Sequence, residues 1–497
     1  FITTLEERGF PNSSPLTGVV DNGTFVNNAE ISPELGFSRD GLLTDRAKRR
    51  KYGLSPELRP PTRDDERGRA KNMLRHDSDW VDADLTVSTD ADQTAIAPGL
   101  TVSDVVQGDR RTVHFLSDAP INHFFSIQSA RYQVQRAKYR DVDLAVYYDA
   151  SYPQNVPRML RAMQTSLEAF EEKLGPYQFH QARILSFPAY ADFAQSFANT
   201  VPYSENLGFI VHHTDPGKVD FVTYVTAHEI AHQWWGHQLV PSEQQGATML
   251  VESFAQYSAL LVMERMYGKE QVRRFTKYEL DEYLKSRGSD AREEQPLGRV
   301  ENQSYVHYPK GTLVMYWLRE LVGEDVVNRS LRQLLAEHGL RPAPYANTND
   351  FFRGPAHEAA IDDLFERITL YDVKAKRALA TRLPSGHWQL TLDVEARKLY
   401  ADGHGKETEA PLDEPFDFGV FTTEPGKEGF VAASVLLAER HPLTSGASRF
   451  VFETESEPRL SNSLTVTTER KILGVNYATD AETYERTTIE RRRLGYF

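Results

Sequence analysis

The spacing of apolar residues changes along the chain, and this change limits the folds that the chain can adopt. From Val156 to Gly175 apolar side chains recur every three to four residues, which is typical of a helix with one buried face. From about Leu383 the period becomes two, as in HWQLTLDVE, FDFGVF, SRFVFETE and SLTVTTE. A period of two indicates antiparallel strands that bury one face against a second layer. The sequence therefore predicts a helical middle region followed by a β-sandwich.

Other patterns predict further helices in the middle of the chain and strands before it. We expect helices over residues 219–235, over 248–267 with Gly268 as the C-cap, and after Gly311. Before residue 140, RTVHFLSD and HFFSIQSARYQVQ are rich in β-branched and aromatic residues and predict strands. The charged segment PELRPPTRDDERGRAKN predicts a long solvated loop. The segment SENLGFIV predicts a strand that leads toward the helix at 219–235 and can pair with an extended peptide.

Together these patterns predict an α+β multidomain protein. The expected parts are an N-terminal β domain over residues 1–140, an α+β domain over 141–370 and a C-terminal β-sandwich domain over 371–497. The length of 497 residues agrees with several domains, because single hydrophobic cores stop growing at about 250–300 residues.

Charge and composition exclude several classes of protein. The net charge of -14 argues against a nucleic-acid binder, because phosphate binding needs clustered Lys and Arg. The absence of cysteine excludes disulfides, thiolate metal ligands and a cysteine nucleophile. No stretch approaches the roughly eighteen apolar residues of a membrane-spanning helix, so we expect no such segment in this chain. The opening FITTLEERGF has neither an initiating Met nor a signal-peptide pattern, which indicates a piece of a longer protein.

The segment TAHEIAHQWWGHQ carries the clearest chemical signal. His228 and His232 are four residues apart, so that on a helix both imidazoles lie on one face and can bind one metal ion. Glu229 follows the first His and lies beside that metal position. This arrangement, H-E-x-x-H, is a zinc motif in which the Glu acts as the general base. The alternative is a buried helix whose His side chains hydrogen-bond to the backbone.

A third protein ligand is expected, because a catalytic zinc usually has three protein ligands and one water. Glu252 lies beyond His232 on an otherwise apolar helix face, where a carboxylate is costly unless it is paired or metal-bound. The alternative is an exposed Glu252 that pairs with an Arg. The other His residues near these motifs are predicted to be structural or exposed; they are His212, His213, His237 and His357.

These residues and two further motifs resemble the aminopeptidase N family of zinc metallopeptidases, the gluzincins. HEIAHQWWG followed by Glu252 in ESFAQY is similar to the zinc-binding segments of that family. HYPKG supplies Tyr308 of its Tyr-x-Lys-Gly motif, and VPYSENLGFI supplies Glu205 and Asn206 of its Gly-x-Met-Glu-Asn motif. The resemblance covers about residues 150–325 well and the β segments more loosely.

The resemblance implies a thermolysin-like α+β catalytic domain and a zinc-dependent aminopeptidase that hydrolyses peptides. It implies one zinc ion per chain. The implied site residues are the zinc ligands His228, His232 and Glu252, the general base Glu229, Tyr308 as the group that stabilises the tetrahedral intermediate, and Glu205 with Asn206 at the substrate amine.

The chain departs from the family pattern at three places. Nineteen residues separate His232 from Glu252, where the family usually has eighteen. Pro202 stands for the Gly and Ser204 for the Met of the amine-binding motif. Because Pro202 and Ser204 lie in the amine-binding motif, we expect these two replacements to reshape the first substrate subsite.

The segments NGTFVNN and RAKRRKYGL are similar to the peptidase part of bacterial proteins that join such a domain to a membrane permease-like region. This resemblance implies an extracytoplasmic location and a membrane-bound partner region outside this chain. Because the sequence stops after the C-terminal β segments, we expect no helical-repeat cap. Two alternatives to an aminopeptidase stay open. One is an endopeptidase or a leukotriene-hydrolase-like hydrolase with the same zinc site, and the other is a weakly active peptidase-like sensor or docking domain.

Overall fold

The structure is a computed structural model that describes residues 18–36, 41–213, 218–269, 272–290, 292–353, 358–423, 429–458 and 473–474. The strands, labelled β1 to β19 in chain order, are Thr24–Asn27, Trp80–Val81, Asp84–Asp90, Thr94–Ile96, Leu100–Gln107, Arg110–Leu116, Ile121–Asn122, Ser126–Ala130, Gln133–Tyr139, Val142–Tyr148, Gln181–Phe187, Thr200–Ser204, Ile368–Arg382, Trp388–Ala401, Glu407–Ala410, Asp413–Phe421, Val435–Thr444, Gly446–Thr454 and Leu473–Gly474. The α-helices, labelled α1 to α10, are Asn28–Ile31, Arg46–Lys51, Val156–Lys173, Phe221–Ala231, Phe254–Tyr267, Val272–Arg287, Gly311–Val322, Glu324–His338, Thr348–Phe352 and Glu358–Ile361. The π-helical turns are Glu205–Phe209, Met249–Ser253, Val306–Lys310 and Asp362–Glu366.

The described residues mix helices and sheets and divide into two compact units. The first unit comprises those within 1–214, 220–262 and 328–354, and the second those within 215–219, 263–327 and 355–497. The mixed, multidomain character predicted from the sequence is therefore confirmed. The domain boundaries near residues 140 and 370 stay predictions.

A four-stranded sheet in the order β12-β11-β10-β9 lies at the centre of the first unit. β10, β11 and β12 are parallel, and β9 is antiparallel to β10. Helix α3 connects β10 to β11 and buries the apolar stripe predicted from the sequence. The helix ends before Gly175, whose φ of 127° lies in the left-handed region that favours glycine. The prediction for this helix is confirmed.

Helix α4 is shorter than the predicted range of 219–235. The Asp220 side chain begins the helix by accepting a hydrogen bond from the Thr223 N–H at 3.2 Å. The helix ends at Ala231, and the chain then turns toward Gly236, which has a φ of 125°. Every residue of α4 after Phe221 except Val225 is buried, so the helix carries its polar side chains into the core.

The other two predicted helices are confirmed. Residues 248–267 form the π-helical turn Met249–Ser253 followed by α5, and Gly268 has a φ of 92° at the C-terminal end. The segment after Gly311 forms α7. The π-helical turn at the start of the predicted range carries Glu252, which makes it important for the site.

The solvated-loop prediction for PELRPPTRDDERGRAKN is correct only in part. Most of its residues are exposed or partly exposed, but the segment contains the 3-10 helix Glu66–Ala70, and three of its polar side chains, Arg63, Arg69 and Asn72, are buried. The Arg69 guanidinium donates hydrogen bonds to Asp350 at 2.7 Å and to the Tyr345 carbonyl oxygen at 2.9 Å. Charge alone indicated exposure of every side chain, whereas these long-range hydrogen bonds hold Arg69 inside the first unit.

One strand prediction in the first unit is confirmed with an added detail, and another needs correction. HFFSIQSARYQVQ is confirmed as strand-forming, but it supplies two strands, β8 and β9, which belong to different sheets. SENLGFIV is not a strand, because β12 ends at Ser204 and the π-helical turn Glu205–Phe209 follows it. The prediction for RTVHFLSD is confirmed by β6.

In the second unit, β13, β14, β15 and β18 form one antiparallel sheet, and β17, β16 and β19 form another. Side chains from both sheets share one apolar core, in which Val394 of β14 and Phe418 of β16 are buried. This confirms strands for HWQLTLDVE, FDFGVF and SRFVFETE. The predicted strand SLTVTTE lies outside the described residues.

Over the part of the chain that the structure describes, we find no helix with the length and apolar character needed to cross a membrane.

Candidate active site

The structure brings the three predicted zinc ligands together. The Nε2 atoms of His228 and His232 lie 3.0 Å apart. The Oε2 atom of Glu252 lies 3.4 Å from each of these nitrogens. All three residues belong to the first unit, and both imidazoles are buried.

These distances fit a zinc ion. Zinc bonds of about 2.0–2.1 Å at tetrahedral angles place donor atoms about 3.3 Å apart. The observed triangle has sides of 3.0, 3.4 and 3.4 Å. Two neutral imidazoles and one carboxylate, without thiolate, are the ligand type of a catalytic zinc with an open fourth position.

Local backbone structure explains how the sequence reaches this geometry. His228 lies in α4 and His232 is the residue that caps its C-terminal end, so the spacing of four residues places both on one face, with their rings 4.5 Å apart. Glu252 comes from the π-helical turn Met249–Ser253, and such turns are frequent at functional sites. The extra residue between His232 and Glu252 therefore does not remove the carboxylate from the two imidazoles.

A backbone contact orients one of the imidazoles. The Nδ1 atom of His232 lies 2.9 Å from the Trp235 carbonyl oxygen, to which Nδ1–H donates. That tautomer leaves Nε2 free to bind a metal. Trp235 is itself fixed, because its indole N–H donates to the Ser258 hydroxyl at 3.0 Å.

The charges of these neighbouring side chains shift the pKa values of His232 and Glu252. Burial opposes charge on His232, yet the adjacent Glu252 carboxylate raises the pKa of His232 to about 9. Burial likewise opposes charge on Glu252, but the imidazoles, His232 first, hold the pKa of Glu252 well below its ordinary value. The carboxylate therefore stays ionised and ready to bind a cation.

Glu229 has the properties of a general base. It is buried on α4 beside His228, and burial raises its pKa while the two imidazoles lower it. Its Oε2 atom has no hydrogen-bond partner among the described residues. A buried carboxylate oxygen without a partner is costly unless a substrate or a water uses it.

Glu205 lies apart from these residues, at the wall of a cavity of about 210 Å³ in the first unit. Burial raises its pKa, and the negative charge of Asp149, which lines the same cavity, raises it further. The described residues that line this cavity do not include the three metal-binding candidates. Asn206, the second predicted amine-binding residue, is exposed.

Tyr308 lies in the second unit, within the π-helical turn Val306–Lys310. It is half-buried, whereas the other residues of that turn are buried. Its ring contacts the His307 ring at 4.5 Å, and its carbonyl oxygen accepts a hydrogen bond from the Thr312 hydroxyl at 2.9 Å.

His237, predicted to be structural or exposed, is buried, with Nε2 3.0 Å from the Ser196 carbonyl oxygen.

The sequence analysis did not identify two residues of the first unit whose side chains could take part in binding or catalysis. Tyr203 is fully buried on β12, and its hydroxyl has no partner among the described residues. Its pKa is raised by burial and then by the charge of Glu229. A Tyr in an apolar strand gives no sequence signal beyond core packing, and Asp149 in a loop gives none either.

Comparisons with known proteins find similar proteins for the part of the chain that contains these residues. Residues 158–367 match the sequence profile described as the peptidase family M1 domain. Endoplasmic reticulum aminopeptidase 2 of Homo sapiens is 29% identical over 196 residues, which is 37% of this chain and 20% of that protein. Tricorn protease-interacting factor F2 of Thermoplasma volcanium is 23% identical over 269 residues, which is 51% of this chain and 33% of that protein.

A solved structure shares the fold at low identity. Aminopeptidase A of Legionella pneumophila, solved in complex with aspartic acid, superposes with a TM-score of 0.51 at 13% identity. The match covers 76% of this chain and 43% of the other. The matched part of this chain spans about a fifth of endoplasmic reticulum aminopeptidase 2 and about a third of tricorn protease-interacting factor F2.

Proposed function

Because residues 158–367 of this chain match the profile of the peptidase family M1 domain, we propose that the protein is a zinc-dependent aminopeptidase, which hydrolyses the N-terminal bond of peptides. The observation that carries this proposal is the triangle of His228, His232 and Glu252, with distances that suit a zinc ion. Glu229 supports it, because one of its buried oxygen atoms has no hydrogen-bond partner among the described residues.

The proposed cofactor is one zinc ion per chain, held by His228, His232 and Glu252. When bound in such a site, zinc lowers the pKa of a water to about 7 and polarises the carbonyl group of the substrate. The His232 ring keeps its orientation through the Trp235 carbonyl oxygen.

Glu229 is the proposed general base. Its carboxylate accepts a proton from the attacking water and passes this proton to the amine that leaves. The burial that raises its pKa brings the carboxylate closer to the pH at which proton transfer in both directions is efficient.

Tyr308 is the proposed donor to the oxygen on which negative charge develops. A preorganised hydroxyl group stabilises that charge more in the transition state than in the ground state. The support for this role is the Tyr-x-Lys-Gly sequence on which the resemblance rests.

Glu205 is the proposed anchor for the free amine of the substrate, with Asn206 beside it. The cavity at Glu205 supports this role, because it holds a second carboxylate, Asp149, while its cationic side chain, Arg131, is already paired with Asp21 and Asp92. The two carboxylates therefore favour a cationic group. An anchored amine fixes the distance to the scissile bond, which makes the enzyme an exopeptidase.

The finer architecture is also part of the proposal. We place an N-terminal β domain at residues 1–140, a thermolysin-like domain at 141–370 and a C-terminal β-sandwich at 371–497. The apolar core shared by the two C-terminal sheets supports the sandwich. An extracytoplasmic location with a membrane-bound partner region remains part of the proposal from sequence resemblance.

The test compares fluorogenic aminoacyl-amides with their N-acetylated forms, with and without a zinc chelator. We expect chelator-sensitive hydrolysis of the free-amine substrates only. Equal cleavage of N-acetylated peptides at internal bonds would identify an endopeptidase. Stoichiometric zinc without hydrolysis of any substrate would identify a sensor or docking domain.

The Glu205 variants test the amine anchor directly. Hydrogen bonds to charged groups contribute about 1.5–3 kcal/mol, so Glu205→Gln should raise KM for free-amine substrates about 10- to 150-fold. Zinc content should not change. Glu171→Gln is the control, because Glu171 pairs with Arg140 in the same unit and does not line the cavity. An unchanged KM in Glu205→Gln would remove Glu205 from the amine site.

A further inference from the structure

A buried ion pair lies beside the turn that carries Tyr308. The Lys310 Nζ atom lies 3.1 Å from the Glu294 Oε1 atom, and each side chain is only 5% exposed. Lys310 is the last residue of the π-helical turn Val306–Lys310. Both residues belong to the second unit.

Glu294 is held from several sides. Its Oε1 atom also accepts a hydrogen bond from the Tyr283 hydroxyl at 2.7 Å, and its Oε2 atom accepts one from the Arg287 Nε at 2.6 Å. Lys310 in turn lies over the Tyr283 ring, with Nζ 5.2 Å from the centroid. Because all these groups are fixed, Glu294 is a rigid point of attachment for Lys310.

The same segment also holds the other end of the turn. The Gln303 side chain accepts a hydrogen bond from the Gln295 N–H at 3.0 Å and donates one to the Glu293 carbonyl oxygen at 3.0 Å. The Gln303 carbonyl oxygen accepts hydrogen bonds from the N–H groups of Val306 and His307, at 2.9 and 3.1 Å. Residues 293–295 therefore fix the chain both before and after Tyr308.

The turn needs such support for two reasons. The π-helical conformation is rare and occurs mostly as a single turn within an α-helix, so it is not the default geometry of such a segment. Pro309 lies inside the turn and has no N–H to donate. The position of the Tyr308 side chain therefore depends on contacts outside the turn.

Stability alone is a poor explanation for the pair. Replacement of a buried ion pair by apolar residues is often neutral or stabilising, because the desolvation penalty is large. In the proteins where such pairs have a known use, they favour one conformation over others. Here the ion pair favours one conformation of the turn that carries Tyr308.

We propose that Glu294 is a positioning residue, which acts through Lys310 to hold the π-helical turn in the geometry that presents the Tyr308 hydroxyl to the reaction. This inference rests on the proposed function, in which Tyr308 donates to the developing negative charge. Nothing in the sequence motif itself identifies Glu294, which precedes Lys310 by sixteen residues.

The test is a double-mutant cycle between Glu294→Gln and Tyr308→Phe in the zinc-loaded enzyme. We expect Glu294→Gln alone to lower kcat about tenfold, with KM and zinc content unchanged. In the Tyr308→Phe background the same change should alter kcat less than twofold, because the hydroxyl it positions is already absent. Glu294→Asp should recover part of the lost kcat, and Glu264→Gln, which removes one of the carboxylate partners of Arg319 in the same unit, should leave kcat unchanged.

The Tyr308→Phe background separates positioning from general damage. A merely structural role would lower kcat by the same factor in both backgrounds, whatever the change in melting temperature, and that result would overturn the inference. An unchanged kcat in Glu294→Gln, with Tyr308→Phe impaired, would also overturn it. If Glu294→Gln does not fold, the pair variant Glu294→Gln/Lys310→Met takes its place, and wild-type kcat in that variant would count against the inference.

Failure of the proposed function gives a different result. A wild-type protein that hydrolyses no aminoacyl-amide would remove the proposed function, and the positioning role with it. An active enzyme in which Tyr308→Phe has wild-type kcat would remove Tyr308 from the mechanism and would likewise overturn the role of Glu294. If the enzyme is active and the losses of kcat in Glu294→Gln and Tyr308→Phe are additive in the double variant, only the role of Glu294 is overturned.

Discussion

Substitution of Glu252 by Gln tests the metal site most directly. The change keeps the size of the side chain and one oxygen atom but removes the negative charge. In the structure the Glu252 Oε2 atom lies 3.4 Å from both imidazole nitrogens, so the carboxylate closes the triangle of ligands. It is also the only anionic group of the three candidate ligands.

The expected loss of zinc affinity follows from the number of ligands. Structural zinc sites with four protein ligands have apparent binding free energies of about 10–16 kcal/mol at pH 7, or about 3 kcal/mol per ligand. Since about 1.4 kcal/mol corresponds to a factor of ten, loss of one ligand should weaken binding by about 10²-fold. Loss of the charge makes this a lower bound, because two neutral imidazoles leave the positive charge of a buried ion uncompensated.

The assay is a competition titration against a chelator of known affinity, with zinc content measured after dialysis. Glu171→Gln is the matched control, because its carboxylate is 16% exposed and that of Glu252 is 18% exposed. We expect the control to bind zinc as the wild type does. A Glu252→Gln variant that binds one zinc ion with wild-type affinity would refute the ligand assignment.

Three further predictions follow from the site and from the ion pair. Glu229→Gln should keep zinc but lower kcat about 10²- to 10⁴-fold, because the amide cannot accept the proton of the water; near-normal turnover would exclude Glu229 as the base. Tyr308→Phe should keep zinc and cost about 3 kcal/mol in the barrier, measured as kcat; an unchanged rate would make Tyr305 the next residue to test. Lys310 and Arg287 lower the pKa of Glu294 against the effect of burial, which is the largest single influence. The ionised Glu294 therefore stabilises the fold above its unfolded pKa of about 4.3, and this contribution is lost as pH falls through the lower folded value. The melting temperatures of wild type and Glu294→Gln should accordingly differ at pH 7 and converge as the pH falls through the lowered folded pKa of Glu294, and a difference that does not change with pH would contradict the charge argument.

The helices that carry the metal-binding candidates were predictable, because their signals are local. The spacing of His228 and His232 depends only on helical geometry, and Glu252 was identified from the cost of a carboxylate on an apolar face. The sequence contains no such signal for the π-helical turn at Met249–Ser253. The close approach of the three side chains could therefore be predicted, whereas the backbone that positions Glu252 could not.

Features that depend on distant contacts were predicted poorly. The segment around Arg69 was expected in solvent because it is highly charged, but Asp350 and the Tyr345 carbonyl oxygen lie 276 or more residues away in sequence. The positioning role inferred for Glu294 belongs to the same class, because its partners Tyr283, Arg287 and Lys310 are brought together only by the fold. Such networks have no periodicity and no motif.

The correction at Glu205 changes how substrate recognition is explained. The sequence suggested a strand whose edge pairs with an extended peptide. In the structure the outer edge of β12 is already used, because the Ser204 N–H donates to the Phe193 carbonyl oxygen at 2.9 Å and the Gln195 N–H donates to the Pro202 carbonyl oxygen at 3.1 Å. A peptide therefore cannot add to β12 along Thr200–Ser204 without displacing these residues. We therefore propose that charge at the cavity of Glu205, rather than strand pairing, recognises the substrate amine, and the N-acetylated substrates test this proposal because acetylation removes the charge.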